Sequence, residues 1–197
     1  MTDTGLRARS PLEGATIAVD PSTTVRIREL PFLAHVGLRA DPADEPLMSR
    51  LTIVLGVRLP TDPNSTAISE DGTRQVLWLG PDEWLVLGEP GPAGALESTL
   101  RSALHAGAGA VVDLSANRTA ISVSGPRARE LLAFGCAIDL DPPAFGPDRC
   151  VQTLLARANV IIVPVGPPEE PAFRILVRPS FAGYLAAWLA DAAQGLD

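Results

Sequence analysis

The densest cluster of chemically capable side chains is Asp113, Ser115, Asn117 and Arg118, a carboxylate, a hydroxyl, an amide and a guanidinium within six positions. Residues of these types at this spacing either hydrogen-bond their own turn or hold a ligand, and the sequence leaves both open. The other candidates are thinner. His35 and His105 stand too far apart for a His-x-x-x-His metal pair, and neither lies near a cysteine, so the spacing supports no zinc site. Cys136 and Cys150 lack the Cys-x-x-Cys spacing of a redox pair. Cys136 follows a predicted helix C-terminus, whose negative dipole end raises a thiol pKa, so both cysteines read as packed thiols. Ser122-Val-Ser124-Gly125 lacks the glycine two positions before the serine that a nucleophile elbow requires.

Glycine-rich segments fare no better. Gly107-Ala-Gly109 precedes a β-prone run instead of following one, and Val112 stands where a dinucleotide fingerprint needs its third glycine. Between Gly88 and Gly94, Pro90 and Pro92 remove two of the N–H donors that an anion cradle would use. The acidic pairs Asp82/Glu83, Asp139/Asp141 and Glu169/Glu170 fall in turn-forming segments and read as solvated acids. Trp78 and Trp84 flank one such turn, where large rings either cap a core or form a contact surface. From the residues alone, therefore, no catalytic, cofactor-binding or metal-ligating residue is assigned.

Composition narrows the class further. The 197 residues are 46% hydrophobic and carry a formal net charge of −7. All 16 basic residues are arginines, so chemistry that needs an ε-amine, such as a Schiff base or a Walker lysine, is excluded. The arginines are scattered from Arg7 to Arg178 and form no basic stripe, which argues against nucleic acid as a partner. The longest apolar runs, 51–57 and 160–165, fall short of the roughly 20 residues that span a bilayer. No leader pattern is visible at the N-terminus, and the expectation is a reduced, cytoplasmic protein.

The elements that must position these residues are read from the hydrophobic period. In the first half, 24–30 and 34–40 alternate as strands. Pro46 then opens a helix that Gly56 ends, 75–79 and 84–87 form a hairpin about Gly80-Pro81, and 93–106 is a helix with Gly107 as C-cap. In the second half, 110–114 and 119–123 are strands, and Pro126 at N1 starts a helix that Gly135 stops. Segments 150–157, 159–164 and 173–177 are strands, and a last helix from Pro179 or Ser180 puts Phe181, Leu185, Trp188, Leu189 and Ala192 on one face. Segments 1–13, 60–73 and 88–94 read as loops. Strand-strand-helix-strands-helix thus occurs twice, which predicts an α+β fold of two similar subdomains, 1–107 with an N-terminal arm and 108–197, each of antiparallel strands with two helices.

Several longer stretches point to a family. They are SPL at 10–12, LGPDEWLV at 79–86, VDLSANRT at 112–119 running into SGPRARELL at 124–132, GCAIDL at 135–140 and FRILVRPSF at 173–181. Together they resemble the gamma subunit of heterotetrameric sarcosine oxidase, over about residues 8 to 193. The resemblance implies a folate-binding fold like that of the aminomethyltransferase of glycine cleavage, here reduced to a non-catalytic support in a four-chain complex with alpha, beta and delta subunits. That complex oxidises the N-methyl group of sarcosine, releasing glycine and hydrogen peroxide and passing the one-carbon unit to tetrahydrofolate. FAD, covalent FMN, NAD and tetrahydrofolate would then sit on the partner subunits and none on this chain.

Two other readings make different demands. An independent folate-binding aminomethyl transferase would need an aspartate aimed at the folate, and Asp113 is the nominee. A free-standing binding module would need a pocket lined by Trp78, Trp84 or Phe134.

Overall fold

A computed structural model describes residues 7–15, 24–104 and 109–196. The order of elements is the same in the two halves. The first runs β1 (Arg26–Leu30), β2 (Leu33–Ala40), α1 (Glu45–Leu55), β3 (Thr66–Ile68), β4 (Gln75–Gly80), β5 (Glu83–Pro90) and α2 (Gly94–Leu104). The second runs β6 (Gly109–Asp113), β7 (Thr119–Ser124), α3 (Ala128–Ala133), β8 (Val151–Leu155), β9 (Ala158–Pro164), β10 (Ala172–Val177) and α4 (Pro179–Gln194). The 60–73 segment, expected as loop, contains the short strand β3, and the hairpin's second strand runs on through Pro90.

Two five-stranded sheets result, in the orders β3-β4-β5-β2-β6 and β8-β9-β10-β7-β1, with all observed pairings antiparallel. These orders correspond strand for strand, and in each the terminal strand comes from the other half of the chain. β1 pairs with β7, matching Arg26 to Ser124, and β6 pairs with β2, matching Val36 to Asp113. Sheet membership therefore crosses the 107/108 line twice. The links β1–β2 and β6–β7 are the two crossovers, and the second begins by extending the β2–β6 pairing: the Leu114 N–H donates to the carbonyl of His35 in β2 at 2.8 Å.

Alternation along each strand sorts the side chains into layers. Val36, Leu38, Val76, Trp84 and Val86 pack on α1 and α2. Ile121, Val123, Ile162, Phe173 and Ile175 pack on α3 and α4. The opposite faces meet each other through Leu77, Leu85, Leu87, Ala120, Ile161, Val163 and Leu176, giving a helix-sheet-sheet-helix sandwich. The N-terminal arm belongs to this body. Leu12 is buried with the α3/α4 core, while Ser10 Oγ and Thr119 Oγ1 each donate to a different oxygen of Glu29.

The helix ends differ from one another. α1 has Asp44 at its N-cap, whose carboxylate accepts from the Leu47 N–H at 3.0 Å, a proline in its first turn and Gly56 in the left-handed region at φ 69°. α3 starts at Ala128, so Pro126 lies in the turn before it and not at N1 as expected. Gly125, at φ 124°, is the reason: it presses against the Thr24 carbonyl, and its own carbonyl accepts from the Ala128 N–H. In α4 the buried stripe is Ala182, Leu185, Ala186, Leu189 and Ala193, whereas Phe181, expected inside, is exposed. The proposed C-cap Gly107 and His105 lie outside the described residues.

Candidate functional site

The crossover between β6 and β7 carries the polar cluster singled out from sequence, and the structure ties it together. Asp113 Oδ1 accepts from both the amide and the hydroxyl of Ser115, at 2.8 and 2.6 Å. Ser115 Oγ accepts from the His35 N–H at 3.1 Å, and an Arg118 N–H donates to Asn117 Oδ1 at 3.3 Å. This is an Asx turn whose hydroxyl also satisfies the neighbouring strand. The two Ser115 hydrogen bonds hold the Asp113 carboxyl below its ordinary pKa, so it is ionised at neutral pH and is no general acid. Asp113 is exposed on this turn.

Behind the turn lies a polar row that sequence reading did not find. Gln75 and His35 are both in register with Leu87, one on each side of it, and so share the inner face of the first sheet. Ser122 is in register with Arg174 on the inner face of the second. The rows meet where the Arg174 guanidinium donates to Gln75 Oε1 at 2.9 Å. His35 is 1% exposed, and neither ring nitrogen has a partner; Gln75 Nε2 and Arg174 Nε are likewise buried and unpartnered. Burial first, then the charges of Arg118 and Arg174, push the His35 pKa down to about 4, so the ring is neutral across the physiological range. The missed signal was the β10 pattern, where Arg174 alternates with Phe173, Ile175 and Val177 and so shares with Leu176 the face that the other sheet covers.

The remaining candidates are placed apart from this cluster. Cys136 and Cys150 are free and buried, the first in the α3/α4 core and the second between the sheets. Burial pushes the Cys150 thiol up to about 11, which leaves it protonated. Trp84 is fully buried and donates from Nε1 to the Pro60 carbonyl at 2.7 Å, and Trp78 packs beside it on the α1/α2 core. Phe134 stands at the end of α3, in the other helical layer, 54% exposed, so the three rings do not line one pocket. Asp82 and Glu83 both hold Arg39, and Asp139 caps the Asp141 amide. Among the described residues no group of three or more potential ligands could hold a metal, and no helix is long and apolar enough to cross a membrane.

Two cavities adjoin Arg118. One of about 570 Å³ is lined by the arm at Ser10 and Pro11, by Phe32 and by Ser115. The other, about 610 Å³, lies where β7 begins and β10 ends, and is lined by Arg118, Gln152, Asn159, Arg178 and Phe181. Neither contains an assembled acid, base and nucleophile.

Comparison with known proteins places the chain in a family. The profile described as Sarcosine oxidase, gamma subunit family matches residues 39–195. The sarcosine oxidase subunit gamma of Corynebacterium sp. (strain U-96) is 40% identical over 92% of this chain and 84% of its own length. That of Arthrobacter sp. is 38% identical over 96% and 91%. A chain in the structure of the heterotetrameric sarcosine oxidase from Corynebacterium sp. U-96, in complex with pyrrole 2-carboxylate, superimposes with a TM-score of 0.83 at 36% identity, over 95% of both chains. The glycine cleavage system aminomethyltransferase T from Bartonella henselae shares the fold, with a TM-score of 0.61 at 16% identity over 85% of this chain and 45% of that one. With a profile match covering most of its length and relatives near 40% identity, the chain belongs to the sarcosine oxidase gamma subunit family.

Proposed function

We propose that the protein is the gamma-type subunit of a heterotetrameric sarcosine oxidase and serves it as a non-catalytic support. The observation that carries this reading is end-to-end agreement with a chain of such a complex, 95% of each chain superimposing. The local chemistry supports it: Asp113 is bonded within its own turn, the Cys150 thiol is held protonated and the His35 ring is buried and neutral. In this reading alpha, beta and delta subunits complete the assembly, and FAD, FMN, NAD and tetrahydrofolate are held by those partners. The complex, in the cytoplasm, oxidises the N-methyl group of sarcosine to give glycine and hydrogen peroxide, with tetrahydrofolate receiving the one-carbon unit. Because β1 and β6 are exchanged, the repeats 1–107 and 108–197 act in this role as one body.

The test is purification of the tagged chain from its own cell under native conditions, with mass spectrometry of the co-purifying chains and a visible absorption spectrum. Three companion chains with flavin bands are expected. A colourless lone chain stabilised by tetrahydrofolate would instead establish a folate-binding transferase.

A further inference from the structure

One cavity brings together two arginines, Arg118 and Arg178, in its lining. The chain carries a net charge of −7, yet here two guanidinium groups lie close enough for Arg178 to oppose the charge on Arg118. Arg39 is paired with Asp82 and Glu83 and Arg101 with Glu97, whereas exposed Arg26, Arg28, Arg58, Arg149 and Arg157 form no ion pair among the described residues but do not line this cavity. Among the described residues no carboxylate comes within ion-pair distance of Arg118 or Arg178. The acid that Arg118 does feel, Glu83, is already bound to Arg39 at 2.6 Å. Arg118 is also half-buried, so its charge is partly desolvated without compensation from within the chain.

The rim has a different character. Leu154 is 52% exposed, Phe181 42% and Tyr184 41%, and the last two are set edge to face with centroids 6.5 Å apart. A pocket for a free inorganic anion has no use for such a rim. Arginines ringed by exposed aromatic and aliphatic groups are the composition of a protein-protein contact centre, where surrounding apolar groups exclude water from a charged pair.

We propose that this pocket is a subunit-docking anchor, in which Arg118 and Arg178 receive an aspartate or glutamate side chain of another chain of the oxidase while Leu154, Phe181 and Tyr184 pack around it. The proposal rests on the oligomeric reading given above. Gln152 and Asn159 line the same cavity and supply amide groups beside the guanidiniums. Arg178 is exposed in the isolated chain, so its substitution leaves the fold's own core untouched.

The experiment uses the complex co-expressed with this chain tagged, and measures how much companion protein stays bound during washes of rising salt. The wild-type chain must retain its companions; if it brings down none, the oligomeric reading itself fails, separately from the site. Arg178→Glu is expected to lower retention at moderate salt by about tenfold or more, with Arg178→Lys largely retaining it. Arg58→Glu, a reversal at another exposed arginine, should leave retention unchanged. Retention of Arg178→Glu at the wild-type level overturns the proposal, and so does an equal loss in Arg58→Glu. If Arg178→Glu assembles normally but abolishes a rise in melting temperature caused by inorganic phosphate, the pocket is a solute-anion site and the docking assignment is wrong.

Discussion

The two halves share one order of elements but secure it by different means. In the first half α1 is bounded by local chemistry: an aspartate at its N-cap, a proline in its first turn and a left-handed glycine at its end. In the second half α3 spans only six residues, no side chain caps it, and its boundaries come from contacts distant in sequence. Gly125 lies against the Thr24 carbonyl, and Gly135 against the ring of Trp188. The crossovers diverge in the same way. The β1–β2 link is only Pro31 and Phe32, with Phe32 in the left-handed region at φ 61°, whereas the β6–β7 link is a polar turn bonded to His35. A repeated architecture thus does not need repeated residues: one copy is specified by its own segment, the other by what it packs against.

The contrast is tested most severely at the glycines. A Cβ at Gly125 would fall 2.1 Å from the Thr24 carbonyl oxygen in a backbone conformation that L side chains avoid. Gly125→Ala is expected to destabilise by about 4 kcal/mol or more, read from denaturant midpoints, or to abolish soluble expression. The next effect is one of pH. Because the native His35 pKa lies at about 4, below its unfolded value, only the unfolded chain takes up this proton as pH falls from 6.5. Stability should then drop by about 1.4 kcal/mol per pH unit over that window, and His35→Leu should flatten the slope. A slope unchanged in His35→Leu would show that another group is responsible. Smallest are the local caps: Asp44→Ala and Gly56→Ala should each cost about 1 kcal/mol in thermal or denaturant unfolding. If Gly56→Ala proved as damaging as Gly125→Ala, the distinction between the halves would fail. The added Cβ at Gly56 meets only the Ser69 Cβ, at an ordinary 3.7 Å.

That division also explains what could be read in the sequence. The order of strands and helices, the α1 boundaries and the β4–β5 hairpin rest on short-range patterns, and the residues there announce them. The polar turn at 113–118 was legible as a cluster because its bonds are local. Arg174 and Gln75 were not, since their meeting depends on two sheets stacking, and periodicity says which residues share a face without saying what faces them. Arg118 was legible as a member of the turn but not as a partner of Arg178, 60 positions away, for the same reason. Phe181 was placed inside because it falls on the helical stripe, yet it stands in the first turn of α4, at the margin of the covering sheet.

The exchange of end strands also sets an order in time. As the chain leaves the ribosome, β1 emerges with no partner, because β7 follows about ninety residues later. A waiting strand is a hazard for pairing with the wrong chain. β1 reads RIREL, with Arg26, Arg28 and Glu29 among its five residues, and so carries its own protection against that fate. β6 reads GAVVD and is nearly uncharged, but it appears when β2 is already available, and can add at once to an existing edge. The two exchanged strands hold equivalent places in the finished sandwich, and their compositions differ as their waiting times do.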